Sequence, residues 1–263
     1  MRLTTAAKKR NWLGLAILGI AVGLSSGLFG VGGGIIIVPA LIYLFKFDTK
    51  IAAGTSLLAV ILPSIVGVVS YAVDGNLSLL LAILLAAGSM IGAPIGSWLL
   101  SILPKRTVQI GFIGFLVLVI VSLFLVIPSR GTAIDIDWLT GAQIILLGLF
   151  AGVMSGLLGI GGGVIVVPLT VILFGASDLV AKGASLLMVI ATGLSGTISN
   201  VVRKNVDPPA SLVIGISAAV VTPAGVWIAQ ALPPKTANIV FSVFLALVIV
   251  RMLVDVVSQR KPR

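Results

Sequence analysis

Three residue types are missing from this chain, which contains no cysteine, no histidine and no glutamate. Without cysteine it forms no disulfide, thiolate metal site or cysteine nucleophile. Histidine, the commonest general base and metal ligand, is absent, and all seven acidic residues are aspartates. The sequence also lacks the GxxxxGKS/T loop that binds nucleotide phosphates. We therefore predict no enzymatic activity, no catalytic residue, no metal site and no cofactor.

Charged residues are scarce, making up 9% of the chain against about 25% in an average soluble domain. Apolar residues account for 59%, so the charges are too few to cover a soluble fold of this size. The composition is typical of an all-α polytopic integral membrane protein in contact with the lipid bilayer. The net charge of +10 comes from basic residues in short loops and at both ends of the chain. This pattern fixes membrane orientation, and we expect no binding to nucleic acid.

Eight apolar segments lie between the charged residues and the helix breakers, where one membrane-crossing helix needs about 20 residues. They are 12–45, 51–73, 77–100, 107–127, 139–174, 181–202, 210–231 and 236–256. The first and fifth segments are too long for a single span, and each has a glycine cluster in its middle. We predict that each of these two is a helical hairpin broken at its glycines and followed by three transmembrane helices.

The chain repeats itself, because a shift of 129 residues aligns 18–121 with 147–250 without a gap. The matches include glycine, proline, tryptophan and serine, which rarely coincide by chance in apolar sequence. Examples are Gly27 with Gly156, Pro39 with Pro168, Gly54 with Gly183, and Trp98 with Trp227. We predict two homologous repeats, 1–128 and 139–263, joined by an outer linker at 129–138.

The distribution of Lys and Arg indicates that the two repeats are inverted. If each long segment returns to its starting side, each repeat crosses the membrane an odd number of times and the second is upside down. With the N-terminus inside, only Arg130, Lys182 and Lys235 of the 17 basic residues then lie outside. If each long segment crosses once, more of them move outside, which fits the positive-inside rule less well. We expect an inverted-topology repeat in the cell inner membrane with both termini cytoplasmic, an arrangement that recurs in secondary transporters.

The strongest local motif occurs once in each repeat. Residues 26–39 are SGLFGVGGGIIIVP and residues 155–168 are SGLLGIGGGVIVVP. Three consecutive glycines are unfavourable in a helix, by about 1 kcal/mol each relative to alanine. Each cluster therefore predicts a buried break, with a new helix near residue 34 or 163 whose free N–H groups can bind an anion. The alternative is close helix packing, which we favour for the GxxxGxxxG run that starts at Gly19.

Small hydroxyl residues follow at the start of the next span, in Gly54-Thr55-Ser56 and Gly183-Ala184-Ser185. They could donate hydrogen bonds to a bound oxyanion, or they could cap the helix and bond its own backbone. Together with the glycine clusters they form the candidate substrate-binding set. Its members are Ser26, Gly30, Gly32, Gly33, Gly34, Thr55, Ser56, Ser155, Gly159, Gly161, Gly162, Gly163 and Ser185.

Ionisable residues deep in a membrane mark functional sites, and this sequence offers almost none. We interpret Arg251, near the end of the last span, as a snorkelling anchor. Lys50 and Lys182 are interpreted as interface anchors, with attraction of an anion as the alternative. No aspartate is expected in mid-membrane, so the coupling ion is left open.

The paired motif Ser-Gly-x-x-Gly-Val/Ile-Gly-Gly-Gly-x-x-x-Val-Pro, with Gly-Thr/Ala-Ser downstream, resembles the sulfite exporter TauE/SafE family of permeases over about residues 12–256. The resemblance implies an inner-membrane permease that exports sulfite, sulfoacetate or related organosulfonates. We therefore expect a secondary transporter of a small anionic solute that works by alternating access of its two repeats. The alternatives are an anion channel and a membrane scaffold or assembly factor without transport, and a homodimer is left open.

Overall fold

Eleven α-helices form the regular structure of residues 11–99, 105–125 and 136–258, the part of the chain that the computed structural model describes. The helices are α1 (Trp12–Phe29), α2 (Gly34–Tyr43), α3 (Thr49–Ala59), α4 (Ile61–Val73), α5 (Leu79–Leu99), α6 (Lys105–Leu125), α7 (Trp138–Leu158), α8 (Gly163–Phe174), α9 (Asp178–Val202), α10 (Pro208–Ala231) and α11 (Pro234–Ser258). Within these ranges, seven segments are long and apolar enough to cross a membrane, with α3 and α4 counted as one. The chain is therefore an all-α polytopic membrane protein, as its composition predicts. Of the predicted linker, residues 129–135 lie outside the described part of the chain.

Both glycine clusters interrupt a helix at the predicted place, since α2 begins at Gly34 and α8 at Gly163. The residues before these helices, Gly33 and Gly162, have φ angles of +78° and +76°. A side chain in this left-handed region costs about 1–2 kcal/mol, which glycine avoids. The turn itself therefore requires glycine, and the structure contains both predicted breaks.

A third interruption, at Val60 between α3 and α4, has no counterpart in the second repeat. Pro63 follows three residues later and cannot donate a backbone hydrogen bond to the carbonyl of Ala59, with which its ring also clashes. The equivalent residue of the second repeat is Thr192, and α9 continues through it without a break.

The first hairpin returns to the end of the bundle at which it starts. A Cβ placed on Gly14, near the start of α1, would lie 3.1 Å from the Phe45 ring, which follows α2. Arg251 on α11 lies at the same end, with its Cζ 3.6 Å from the centroid of the Tyr43 ring. The end of α9 is there too, because a Cβ on Gly54 would lie 2.2 Å from the carbonyl oxygen of Asn205. We call this the basic end, because it carries Lys46, Lys50, Arg203, Lys204 and Arg251.

The opposite end joins the loop after α4 to the starts of α9 and α11. Gln230 at the end of α10 donates a hydrogen bond to Asp74 at 2.7 Å. Asn238 on α11 donates to the carbonyl of Leu123 on α6 at 2.9 Å. A Cβ on Gly183, near the start of α9, would lie 2.6 Å from the carbonyl oxygen of Asn76. This contact is the exchanged counterpart of Gly54 with Asn205, since both residues shift by 129.

Other contacts between the repeats also occur in exchanged pairs. α1 packs along α10 and α7 packs along α5, and the offset of 129 residues relates α1 to α7 and α5 to α10. A Cβ on Gly23 would lie 2.2 Å from the carbonyl oxygen of Ala218, and one on Gly152 would lie 2.5 Å from that of Ser89. Glycine allows these backbones to approach so closely. A two-fold axis between the repeats produces such exchanged pairs, and the orientation of the repeats in the membrane stays a prediction.

Candidate functional site

The two glycine turns meet inside the bundle. We call residues 30–33 the first glycine loop and residues 159–162 the second glycine loop. A Cβ on Gly34 would lie 3.0 Å from the carbonyl oxygen of Gly159, and one on Gly163 would lie 2.7 Å from that of Gly30. The structure thus brings the predicted glycines of both repeats together, and all of them are buried.

The helices that follow the loops begin without side-chain caps, because Gly33 and Gly162 supply none. Among the described residues, no hydrogen-bond acceptor is found for the N–H groups of residues 32–34 or of residues 161–163. Buried N–H groups without a partner are rare in proteins. At a helix start they also carry a positive partial charge. Each loop therefore offers the type of group that binds an anion without a basic side chain.

Two buried hydroxyls next to the loops also lack partners within the described ranges. They belong to Ser26 and Ser155, which are equivalent residues in the two repeats. The neighbouring Ser25 behaves differently, since its hydroxyl donates to the carbonyl of Ala21 at 2.9 Å. A buried polar group without a partner costs about 1–3 kcal/mol. The occurrence of the same unpartnered group in both repeats supports a shared polar site.

The other predicted hydroxyls bond to the protein in this conformation. Ser185 donates to the carbonyl of Gly30 at 2.8 Å, and its equivalent Ser56 donates to that of Gly159 at 3.3 Å. Each repeat thereby holds the glycine loop of the other. Thr55 instead accepts a hydrogen bond from the N–H of Asp207 at 3.0 Å, beside the start of α10. A direct role of these three residues in substrate binding stays a prediction.

A cavity of about 470 Å³ runs from the basic end towards the glycine loops. Its volume is in the range of small-molecule sites, which is about 300–1,000 Å³. Lys50 and Arg251 lie at its basic end, whereas Ile35 and Ile160, each next to a glycine loop, lie at its inner end. Arg251 is therefore part of the cavity wall and contacts Tyr43, which the interpretation as a snorkelling anchor missed. None of the thirteen predicted binding residues lines this cavity in the present conformation.

A void of about 20 Å³, with room for about one water molecule, lies towards the opposite end. It is lined by Leu123, Val167, Pro168, Val171, Asp178, Lys182, Ala237, Asn238 and Phe241. Except for Ala237 and Asn238, each of these has an equivalent 129 residues away on the wall of the large cavity. Those equivalents are Met252, Val38, Pro39, Ile42, Thr49, Ala53 and Phe112. The cavity and the void are therefore the same space in the two repeats, open in one case and collapsed in the other.

The void contains a buried ion pair that the sequence interpretation missed. Lys182 is 5% exposed and its Nζ lies 3.0 Å from Oδ2 of Asp178, one turn earlier on α9. The interpretation of Lys182 as an interface anchor is wrong, because neighbouring helices cover it. The i, i+4 spacing of opposite charges was the available signal. In the described part of the chain, no group of three or more acidic side chains could hold a metal ion.

Membrane-spanning helices broken at buried glycines, with a cavity that leads to the breaks, define a multi-pass membrane protein with an internal solute site. Comparisons with known proteins identify the class as membrane transporters. The "Probable membrane transporter protein YunE" of Bacillus subtilis is 26% identical over 217 residues, covering 73% of this chain and 79% of the relative. The "Probable membrane transporter protein MJ0441" of Methanocaldococcus jannaschii is 27% identical over 263 residues, covering 91% of this chain and 94% of the relative.

A further relative, a "Probable membrane transporter protein" of Haemophilus influenzae, is 26% identical over 255 residues, covering 90% of this chain and 96% of the relative. The profile of the family described as "Sulfite exporter TauE/SafE" matches residues 2–123 and 144–263. The chain belongs to this family. The match on both sides of the predicted linker agrees with the resemblance carried by the two glycine motifs.

Proposed function

We propose that the chain is a secondary transporter that exports a small sulfur oxyanion or organosulfonate, such as sulfite or sulfoacetate, from the cytoplasm. Family membership supports transport, and the chemistry of the site supports an anion. Unpartnered N–H groups and hydroxyls near the loops suit an oxyanion. Lys50 and Arg251 at the mouth of the cavity attract negative charge to it.

The observation that carries the mechanism is the difference between two spaces with equivalent walls. In transporters with inverted repeats, access alternates as one repeat moves against the other. A large cavity of about 470 Å³ at the basic end and a void of about 20 Å³ at the other are what one of the two extreme states would contain. With the basic end in the cytoplasm, as the positive-inside rule implies, this is the inward-facing state. The same orientation supports an inner-membrane protein with both termini cytoplasmic.

The glycine loops and the hydroxyls of Ser26 and Ser155 would bind the anion at the centre. Ile35 and Ile160 stand between the large cavity and the loop amides. A solute that enters from the basic end would reach those amides once these two side chains move aside. Lipid contacts the outside of the bundle, where large apolar side chains are exposed.

Purified protein in proteoliposomes tests the proposal with a panel of sulfite, sulfate, thiosulfate, sulfoacetate and taurine, each with and without a pH gradient. We expect saturable uptake and counterflow of at least one of the sulfur oxyanions or sulfonates. Flux without saturation or counterflow would favour the anion channel. The absence of any flux, with the protein folded, would favour the scaffold and refute transport. The homodimer stays a prediction, which native mass spectrometry of the extracted protein tests.

A further inference from the structure

The ion pair of Asp178 and Lys182 is unusual because it is buried in a segment that crosses the membrane. The two residues are 4% and 5% exposed, and their charged atoms lie 3.0 Å apart. Burying two charges is costly even when they are paired, and ionisable residues within membrane spans are usually functional. The fold itself does not need the pair, since the equivalent residues of the first repeat are Thr49 and Ala53.

Lys182 lies directly against the first glycine loop. A Cβ on Gly30 would lie 2.6 Å from the Lys182 Cα and 2.7 Å from its Cβ. Ser185, one turn further along α9, donates to the carbonyl of Gly30. The cation is thus carried by the same helix turn that holds the loop. In the second loop, Ala53 occupies the matching place, with its Cβ 3.0 Å from a Cβ placed on Gly159.

Thr49 and Ala53 both line the large cavity, whereas Asp178 and Lys182 line the small void. If the opposite end opens by the movement that opened the basic end, Asp178 and Lys182 become part of the wall of the new cavity. That cavity then differs from the present one by carrying a cation beside its glycine loop.

We propose that Lys182 is the anion-binding residue of the state open to the opposite end, and that Asp178 takes the place of the anion while that end is closed. This inference rests on the proposed alternating access. An anionic solute that binds Lys182 releases Asp178 from the pair, and the end closes again when the solute leaves and Asp178 returns. A neutral or cationic solute cannot replace the carboxylate, so the pair selects for anions.

Thiol labelling tests this without knowledge of the substrate, because the chain contains no cysteine and an introduced one is its only thiol. Val171→Cys places that thiol in the void, and Ile42→Cys places it at the equivalent position of the large cavity. Each is reacted, from the side on which its space opens, with a sulfonate-bearing and with a quaternary-ammonium methanethiosulfonate. The ratio of the two rates measures the sign of the charge that the thiol faces.

We expect Val171→Cys to react faster with the anionic reagent, and this preference to fall by about tenfold or more when Asp178→Thr and Lys182→Ala are added. The double substitution reproduces the residues of the first repeat, so it removes both charges without leaving one buried alone. Ile42→Cys should keep its rate ratio in the same background. Lys235→Ala, which removes an exposed charge at the opposite end, controls for general attraction and should leave the preference of Val171→Cys unchanged.

Two results separate the failure of this inference from the failure of the proposed function. If Val171→Cys reacts but its preference survives the double substitution, or is lost with Lys235→Ala, the role of Lys182 is refuted and alternating access stands. If Val171→Cys never reacts with either reagent while Ile42→Cys reacts from the basic end, the opposite end does not open. That result overturns alternating access and this inference together.

Discussion

Replacing Gly33 by alanine should both destabilise the protein and stop transport, for two reasons that can be measured separately. The first is the backbone, since an alanine at a φ of +78° costs about 1–2 kcal/mol. The second is space, because the new Cβ would lie 2.4 Å from Cγ1 of Val22, where carbon atoms normally stay about 3.5–4.0 Å apart. Relieving more than 1 Å of overlap in a packed interior costs about 1–3 kcal/mol. The expected loss in the free energy of unfolding is therefore about 2–5 kcal/mol.

Gly75 provides a matched control for the backbone part of this cost. Its φ is +71°, but a Cβ placed on it would meet no atom within 4 Å. Gly75→Ala should therefore lose only about 1–2 kcal/mol and should keep transport. Adding Gly33→Ala to a Val22→Ala protein should cost less than adding it to the native one, because Cγ1 of Val22 is gone.

Equilibrium unfolding in mixed micelles, followed by tryptophan fluorescence, measures these differences, and counterflow in proteoliposomes measures transport. The reasoning is refuted if Gly33→Ala and Gly75→Ala lose the same free energy, or if the Val22→Ala background gives no relief. The role of the loop in binding is refuted if folded Gly33→Ala protein transports at the native rate. The larger replacements Gly33→Leu and Gly162→Leu test the same role with no room for adjustment.

Three further changes have defined outcomes. Gly23→Ala should lower the free energy of unfolding by more than about 1–3 kcal/mol, because its Cβ would lie 2.2 Å from a backbone oxygen, whereas Gly111→Ala meets nothing within 4 Å and should be neutral or stabilising in the same mixed-micelle titration. Ser26→Ala removes a buried hydroxyl without a described partner, so it should raise stability by about 1 kcal/mol while increasing the KM for the transported anion. Hydrogen bonds from the side chain and backbone of Thr140 lower the pKa of Asp137, so its cap on α7 stabilises the fold at neutral pH and is lost as the pH falls through that lowered pKa; thermal unfolding of Asp137→Ala against pH should lack this step.

Each of these has a result that contradicts it. Equal stability of Gly23→Ala and Gly111→Ala would contradict the close crossing of α1 and α10. A loss of stability in Ser26→Ala, like that expected for the bonded Ser25, would show that the hydroxyl has a partner. Unchanged acid sensitivity in Asp137→Ala would show that the cap does not contribute.

The helix breaks and the repeat could be predicted from the sequence because their causes are local. A left-handed backbone before Gly34 and Gly163 requires glycine, so a run of three glycines marks the turn to within a residue. The spans are bounded by the few charges, and the duplication is visible in one constant offset. The class of transporter follows from the same two motifs.

The state of the site could not be predicted, because it depends on contacts between distant residues. Ser185 bonds to Gly30, 155 residues away, and Thr55 faces the start of α10 instead of the glycine loops. The burial of Lys182 depends on the helices packed around the start of α9. The walls of the cavity and the void have similar sequences, so nothing in either repeat alone indicates which is open.

The exchanged packing of the bundle has a consequence for how the protein is made. α1 has its most extensive contacts with α10, which begins only at Pro208, and α5 has its most extensive contacts with α7. When the ribosome has finished the first repeat, the glycine surface of α1 and the matching surface of α5 still face lipid or each other's neighbours. Insertion of α1 therefore precedes its final packing by most of the length of the chain. Assembly must wait for the C-terminal portion, and a fragment ending at the linker should remain a substrate for membrane proteases until the missing portion is supplied.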